Sequence, residues 1–189
     1  TVLDMGVIPD DPAQLEQAFE QAATTADMVI SSGGVSVGEA DHTKAMMKRL
    51  GDVVFWRIAM RPGRPMAVGL INDTPVFGLP GNPVAVMVTF LAFVRPALQR
   101  LMGTTPSALP VLRAKASADI RKRGGRTEYQ RASIERNDQG DYVATVLPNQ
   151  GSGVLSGMVQ AQGLVVLSHD SGTVSAGDWV DVWMLDRFI

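Results

Sequence analysis

The residues best suited to chemistry lie in three short loops, the first of which is rich in glycine. Ser31–Asp41 reads SSGGVSVGEAD, and glycines let backbone N–H groups approach an anion closely. The loop follows an apolar strand and precedes a helix, whose N-terminal dipole also favours negative charge. Gly33, Gly34 and Ser36 are therefore candidate anion-binding residues, with a purely structural strand-to-helix turn as the alternative. The spacing matches neither the phosphate-binding loop nor the dinucleotide fingerprint, which argues against nucleotide hydrolysis and hydride transfer.

Two aspartates, Asp10 and Asp41, stand at the ends of strand-to-helix loops. Ligands of open α/β sheets bind outside the carboxyl ends of the strands, so these two carboxylates could lie close together. Magnesium prefers one or two carboxylates with water and substrate oxygens, which makes the pair a candidate metal site and catalytic pair. Helix capping is the alternative, because Asp41 could cap its own helix and Asp11 stands beside Asp10.

Arg57, Arg61 and Arg64 surround a strand end and the proline-rich loop MRPGRP. Guanidinium groups match tetrahedral oxyanions, and the spacing of Arg57 and Arg61 would aim both from one face of a strand. Residues 53–131 carry a net charge of +9, whereas the flanking stretches carry −6 and −5. A cationic middle within an acidic protein favours a local anion site over a nucleic-acid-binding domain. A solvated basic face is the alternative.

The third loop, Gly78–Pro83, reads GLPGNP and precedes a long apolar segment. Asn82 suits the N-cap position and Pro83 the first residue of a helix. The loop is either a turn with a helix start or a rigid backbone wall that offers N–H donors. Pro80, Gly81 and Pro83 are its candidate binding residues.

The elements that must position these loops alternate between strand and helix in the first half of the chain. Strands are predicted at Val2–Ile8, Met28–Ser31, Val53–Ala59, Met66–Leu70 and Pro75–Leu79. Three helices are predicted. The first begins at Pro12, with Asp11 as its N-cap, and the second spans Asp41–Leu50 and ends at Gly51 in left-handed geometry. The third runs from Pro83 to near Met102, with a possible kink at Pro96. This alternation predicts a βαβ architecture with a mainly parallel sheet.

The second half contains strands and turns only. After a linker at Thr104–Pro110, strands are predicted at Val111–Ala118, Thr127–Arg136, Tyr142–Leu147, Leu164–Leu167 and Trp179–Leu185. The chain is therefore expected to form an α/β domain over residues 1–106 and a small all-β domain over residues 107–189.

Composition excludes several classes of protein. The chain has no cysteine and only two histidines, so it has no disulfide framework, no thiolate metal site and no typical structural zinc site. The longest apolar run, Val84–Val94, has eleven residues interrupted by Thr89, which predicts a buried helix, since a membrane span needs about 20 residues. No signal peptide is recognisable. A cytoplasmic protein that binds neither membrane nor nucleic acid is expected.

Three segments in a fixed order, SSGGVSVGEADHTK, FWRIAMRPGRP and FGLPGNPVA, resemble the MoeA-type molybdopterin molybdenumtransferases, a family related to the E domain of gephyrin. The related adenylyltransferases carry a Thr-Gly-Gly-Thr-Gly loop where this chain reads SGGVS. The resemblance implies a three-layer MoCF-type domain (the molybdenum cofactor biosynthesis domain), lacking its first strand here, followed by a small barrel-like β-domain.

The resemblance also implies an activity: magnesium-dependent insertion of molybdate into adenylylated molybdopterin, with release of AMP. Asp10 and Asp41 correspond to the acidic active-site residues of the family, Arg57 and Arg61 to its basic residues, and Pro80 and Pro83 to its PGNP loop. In the β-domain, Arg131 of the segment YQR and Ser152 of the segment QGS match polar site residues. Arg57, Arg61, Arg131 and Ser152 are therefore expected to hold molybdate.

The chain departs from the family at its beginning. The resemblance implies a first strand of the domain, a segment with an active-site glutamate and two further N-terminal domains, which are expected to be missing here. The resemblance implies a homodimer for the full-length protein, with the adenylyltransferase of the pathway as a further partner. The alternatives are a non-catalytic molybdopterin-binding or scaffold module and a molybdopterin adenylyltransferase.

Overall fold

The structure, a computed structural model, describes residues 1–33 and 46–185, with the backbone alone for residues 55 and 56. It divides into two compact units. The first comprises Thr1–Ile58 and Gly63–Pro106, and the second comprises Ala59–Pro62 and Ser107–Ile189. Ala59–Pro62 thus belongs to the second unit although both flanking segments belong to the first, a detour that the sequence did not predict.

The first unit contains a four-stranded sheet and the helices that cover it. Its strands are β1 (Val29–Ser32), β2 (Gly51–Arg57), β4 (Pro65–Ile71) and β5 (Thr74–Leu79). Its helices are α1 (Pro12–Thr25) and α2 (Pro83–Leu101). Residues 46–50 are also helical. As predicted, Asp11 caps α1, because its Oδ1 accepts a hydrogen bond from the N–H of Gln14 at 2.9 Å.

The sheet is mixed rather than mainly parallel. Its order is β1-β5-β4-β2; β1 and β5 are parallel, whereas β4 is antiparallel to both of its neighbours. One of the two antiparallel pairs arises at Asn72 and Asp73, whose φ angles of 49° and 63° make a two-residue turn between β4 and β5. Positive φ at both central residues is the geometry that joins adjacent antiparallel strands.

This turn gives a stability prediction. Asp73→Gly is expected to raise the free energy of unfolding by about 0.5–1 kcal/mol, because glycine adopts positive φ without a Cβ clash. Urea unfolding of the variant and the parent measures the difference. Asp170→Gly is the matched control, since Asp170 is also exposed but has no positive φ, and it should give no gain. A loss of stability at position 73 would contradict the turn geometry.

Helices cover both faces of the sheet, which makes it the middle of three layers, as predicted. On one face, α1 and residues 46–50 contribute to a cluster with strand residues: Phe19, Ala22, Ala23, Val29, Met46, Met47, Val53, Ala67, Ile71 and Val76. On the other face, Val94 of α2 packs with Met66, Phe77 and Leu79. Neighbours on a strand, such as Met66 and Ala67, enter opposite clusters because side chains alternate across a strand.

Helix α2 begins at Pro83 as predicted, with Asn82 at the N-cap position but without a side-chain capping bond. Phe90–Val94 form a wider π-helical turn just before Pro96. Proline has no N–H for the helical ladder, so the wider turn accommodates it where a kink was predicted. Among the described residues, Pro83–Leu101 is the one helix long and apolar enough to cross a membrane by length and composition. A core helix passes the same test, and Val94 is fully buried among sheet residues.

Two local predictions fail. Val2–Ile8 forms no strand; Val2 and Val7 are 90% and 97% exposed, and no described strand pairs with this segment. A strand needs the hydrogen bonds of a neighbour, which apolar composition alone does not supply. Gly51 is not left-handed but is the first residue of β2, where an ideal Cβ would lie 2.0 Å from the carbonyl oxygen of Leu70. Glycine is required there by the close approach of two strands.

The second unit is a closed barrel, as predicted. Its five strands are β6 (Val111–Ala116), β7 (Thr127–Arg136), β8 (Tyr142–Val146), β9 (Gly163–Leu167) and β10 (Trp179–Met184). They pair in the order β7-β8-β6-β10-β9, and β9 pairs back onto β7. Small apolar residues such as Ala114, Ala132 and Ala144 lie in its core. Two elements were not predicted: β3 (Met60–Arg61), parallel to the start of β7, and helix α3 (Ser156–Gln160).

Candidate functional site

One edge of the four-stranded sheet brings together most of the predicted loop residues of the first unit. Ser32 pairs with Leu79 where the parallel strands β1 and β5 both end, and Arg57 pairs with Pro65 where β2 ends and β4 begins. Because β4 is antiparallel to its neighbours, these four strand ends lie at the same edge. The predicted residues at this edge are Gly33, Arg57, Arg64, Pro80, Gly81 and Pro83.

Two of the glycine loops touch each other there. The N–H of Gly33 donates to the carbonyl oxygen of Leu79 at 3.1 Å, and an ideal Cβ on Gly81 would lie 3.6 Å from the Cα of Gly33. Gly33 has a φ of 90°, which disfavours any residue with a side chain. Pro80 is buried, whereas Gly81 and Pro83 are exposed. The start of the first loop therefore lies against the third, as a shared anion site requires.

Three predicted residues, Gly34, Ser36 and Asp41, lie outside the described residues. Their assignment to the anion and metal site stays a prediction. Gly33, the last described residue before them, leaves β1 at the edge where the other loops meet.

Asp10 is exposed and directly precedes the capping residue Asp11. Because Asp11 supplies the cap, the capping alternative does not account for Asp10. The hydroxyl of Thr74, at the start of β5, donates to the carbonyl oxygen of Ala23 near the C-terminal end of α1 at 2.7 Å. Helix α1 thus ends at the opposite edge of the sheet and, with its 14 residues, spans about 21 Å. Its start, with Asp10, is directed toward the edge where the loops meet.

The three predicted arginines divide between the units. The N–H of Ile58 donates to the carbonyl oxygen of Arg64 at 2.8 Å, so Arg57 and Arg64 lie close together in the first unit. Arg61 lies on β3 of the second unit, opposite Glu128 on β7. The prediction that one strand face would aim Arg57 and Arg61 is therefore wrong. All three arginines are exposed, and none forms an ion pair with a residue in the described ranges.

Arg131 of β7 is the most deeply covered charged residue described, with 1% of its surface exposed. Its guanidinium group donates to the carbonyl oxygens of Val154 at 2.7 Å, Asn149 at 2.8 Å and Gly151 at 3.1 Å. Burial lowers the pKa of Arg131, but an arginine side chain stays protonated in proteins. Its predicted contact with molybdate stays a prediction, since the bonds seen here are to the loop that carries Ser152.

Ser152 is half-buried in that loop. The neighbouring Gln150 holds the loop to β7: its Oε1 accepts from the N–H of Arg131 at 2.9 Å, and its Nε2 donates to the carbonyl oxygen of Arg131 at 2.9 Å. The second unit therefore places two of its predicted residues, Arg131 and Ser152, in one loop-and-strand arrangement.

Two known families match the chain. The family described as "Probable molybdopterin binding domain" matches residues 1–100, and the MoeA C-terminal region (domain IV) matches residues 113–185. The chain belongs to the MoeA-type molybdopterin molybdenumtransferase family. Its family places this MoeA-type chain in molybdenum cofactor biosynthesis.

Individual relatives agree with this assignment. The molybdopterin molybdenumtransferase of Haemophilus influenzae is 42% identical over 182 residues, covering 96% of this chain and 45% of the relative. Gephyrin of Dictyostelium discoideum is 33% identical over 199 residues, covering 93% and 28%. The crystal structure of a MoeA protein from Pyrococcus horikoshii superposes with a TM-score of 0.77 at 29% identity, covering 97% of this chain and 44% of that chain. The MoeA-type chain thus spans less than half the length of these relatives.

Sequence reasoning missed two residues that shape the second unit of this MoeA-type chain, Gln150 and Gly157. An ideal Cβ on Gly157 would lie 3.0 Å from Nη1 of Arg131, so a larger residue at this position would require the guanidinium group to shift. The sequence signal that could have identified Gln150 is its position two residues before Ser152, a predicted site residue.

Proposed function

We propose that this chain takes part in the magnesium-dependent insertion of molybdate into adenylylated molybdopterin, with release of AMP. The observation that carries the proposal is that two glycine loops in contact with each other lie at the same edge of the sheet as Arg57 and Arg64. The Haemophilus influenzae relative, 42% identical, bears the name molybdopterin molybdenumtransferase. The same transferase activity is proposed for the protein to which this chain belongs.

Arg57 and Arg64 supply positive charge for an oxyanion. Both are exposed, and neither pairs with an acidic side chain in the described part of the chain. Charge-assisted bonds from guanidinium groups to oxyanions are shorter and stronger than neutral ones. Gly33 and Gly81, at the same edge of the sheet, carry no side chains, so that backbone N–H groups there can approach the substrate.

Asp10 and Asp41 are the proposed magnesium ligands. The exposed carboxylate of Asp10 fits this role, because Asp11 caps the helix in its place. Within residues 1–33 and 46–185 no group of three metal-ligating side chains occurs, and Asp41 lies outside these residues. Magnesium needs only one or two carboxylates beside water and substrate oxygens. When bound, magnesium neutralises the charge that develops on the phosphate group as AMP leaves.

The second unit is proposed to contribute Arg61, Arg131 and Ser152 to molybdate binding. Arg61 is exposed and Ser152 half-buried, while Arg131 fixes the loop that carries Ser152. A homodimer in the cytoplasm, with the adenylyltransferase of the pathway as partner, completes the proposal for the full-length protein.

Asp41→Asn in the full-length protein tests the metal role. The change removes a carboxylate charge while keeping the side-chain volume, so the rate of AMP release on addition of molybdate should fall about 100-fold or more. The measurement is AMP formed from adenylylated molybdopterin over a magnesium titration. Asp27→Asn is the matched control, because Asp27 is exposed just before β1, at the opposite edge of the sheet. An unchanged magnesium dependence in Asp41→Asn would show that the metal role is wrong.

A non-catalytic binding module is the second candidate. The family that matches residues 1–100 is described by molybdopterin binding alone, and binding does not require turnover. Calorimetric titration with molybdate, followed by the AMP-release assay, separates the two candidates: binding without AMP release would favour the module. Release of pyrophosphate from ATP and molybdopterin would instead favour an adenylyltransferase.

A further inference from the structure

We propose that Gln150 is a positioning residue for the anion site: together with Arg131, it fixes the loop Asn149–Val154 so that Ser152 is held in one orientation. The inference rests on the proposed function, in which Ser152 contacts molybdate. It assigns to the Gln150 side chain a role that neither the motifs nor the family matches indicate.

Gln150 takes the place of a strand residue beside β7. Strand β8 pairs with β7 only from Ala132 to Arg136, and the N–H of Leu147 then donates to the carbonyl oxygen of Arg131 at 2.8 Å. Beyond that point the main chain leaves the sheet, and the Gln150 amide bonds both the N–H and the carbonyl of Arg131 at 2.9 Å. Its Nε2 also donates to the carbonyl oxygen of Leu147 at 2.8 Å. The side chain thus extends the ladder while the backbone is free to form a loop.

The guanidinium group of Arg131 fixes the same loop through its carbonyl groups. It bonds the carbonyl oxygens of Asn149 and Gly151 before Ser152 and of Val154 after it. Gly151 and Gly153 flank Ser152, and glycine has more backbone freedom than any other residue. Bonds within the loop, such as that from the N–H of Gly151 to Oδ1 of Asn149 at 3.0 Å, fix its shape, whereas the bonds from Gln150 and Arg131 fix its position beside β7.

The buried positive charge of Arg131 also favours the binding of an anion at this loop. No acidic side chain in the described ranges forms an ion pair with Arg131, so among those residues the positive charge that binds the Ser152 loop has no ion-pair partner. Carbonyl dipoles satisfy its N–H groups without cancelling its net charge. An oxyanion bound by the serine would compensate that charge.

The test compares steady-state constants for molybdate in the full-length protein carrying Gln150→Leu, Ser152→Ala or both. Leucine fills similar space but makes none of the four hydrogen bonds of the amide, the fourth being from Nε of Arg131 to Oε1 of Gln150 at 3.4 Å. We expect Gln150→Leu to raise KM for molybdate about ten-fold, as loss of one well-placed hydrogen bond to Ser152 would, with kcat within about two-fold. Ser152→Ala should do the same, and the double variant should be no worse than either, because both changes remove the same contact.

Gln160→Leu is the matched control, since Gln160 lies exposed at the end of α3, shortly after the loop Asn149–Val154. This change should leave KM and kcat unchanged. If Gln150→Leu fails to fold, Gln150→Glu replaces it, because a carboxylate keeps the acceptor and loses both donors. A fall in kcat at constant KM would indicate mere loss of folded enzyme and overturn the inference. So would an unchanged KM in Gln150→Leu while Ser152→Ala raises it. If Ser152→Ala has no effect, the proposed anion role of Ser152 itself fails, which is a distinguishable result.

Discussion

Gly69→Ala is expected to lower the free energy of unfolding of the first unit by about 3 kcal/mol or more. An ideal Cβ on Gly69 would lie 2.1 Å from the carbonyl oxygen of Asp52 and 2.5 Å from the Cα of Val53. Both are backbone atoms of β2, which cannot move aside as a flexible side chain could. The sheet would have to separate β2 from β4 to admit one methyl group. Urea unfolding followed by circular dichroism measures the effect.

Gly172→Ala is the matched control for this variant. An ideal Cβ on Gly172 meets no atom within 4 Å, and the residue has no positive φ, so the change should alter the free energy of unfolding by less than about 0.5 kcal/mol. Equal stability of Gly69→Ala and Gly172→Ala would contradict the close approach of β2 and β4.

Arg131→Met is expected to lower the free energy of unfolding by about 3 kcal/mol. Methionine can fill the covered volume, but the carbonyl oxygens of Asn149, Gly151 and Val154 lose their charged donor. The carbonyl oxygens of Gly151 and Val154 keep backbone donors, the N–H groups of Val154 at 3.1 Å and Gly157 at 3.3 Å. The expected loss therefore comes from the charge-assisted bonds themselves, each worth about 1.5–3 kcal/mol. Thermal unfolding and urea unfolding of the variant check the size of the loss.

Arg136→Met is the control for removal of an arginine from the same strand. Arg136 is exposed, with its guanidinium carbon 4.7 Å from the centroid of the Tyr142 ring, and this change should cost less than about 1 kcal/mol. If the two variants lose stability equally, the carbonyl bonds of Arg131 contribute little, and the loop Asn149–Val154 is held by other contacts.

Local signals in the sequence were sufficient where an element depends on its own residues. Helix α1 follows from Asp11 as cap, Pro12 as first residue and the apolar spacing behind them. The strand Thr127–Arg136 was predicted with its observed bounds. The Asn72–Asp73 turn is equally local, because Asn and Asp tolerate positive φ, but the antiparallel pair β4–β5 that it forms was not predicted.

Other features depend on partners that are distant along the chain. Val2–Ile8 has the composition of a strand, yet composition does not supply a neighbour to pair with. Gly51 reads as a helix terminator, but its real constraint is the carbonyl oxygen of Leu70 on another strand. The sequence identified Arg131 as a site residue only by resemblance, and its bonds to the loop Asn149–Val154 could not be foreseen from either segment alone.

The detour of Ala59–Pro62 has a consequence for how the polypeptide can be divided. The second unit is not encoded by one uninterrupted stretch of gene, because β3, which flanks the five-stranded barrel, comes from the middle of the segment that encodes the sheet unit. A gene fragment starting at Ser107 would express the five barrel strands without β3, leaving the start of β7 with exposed, unpaired backbone groups on that side. Such edges favour association with other chains, so a dissected barrel should be more prone to aggregate than the same barrel in the intact polypeptide.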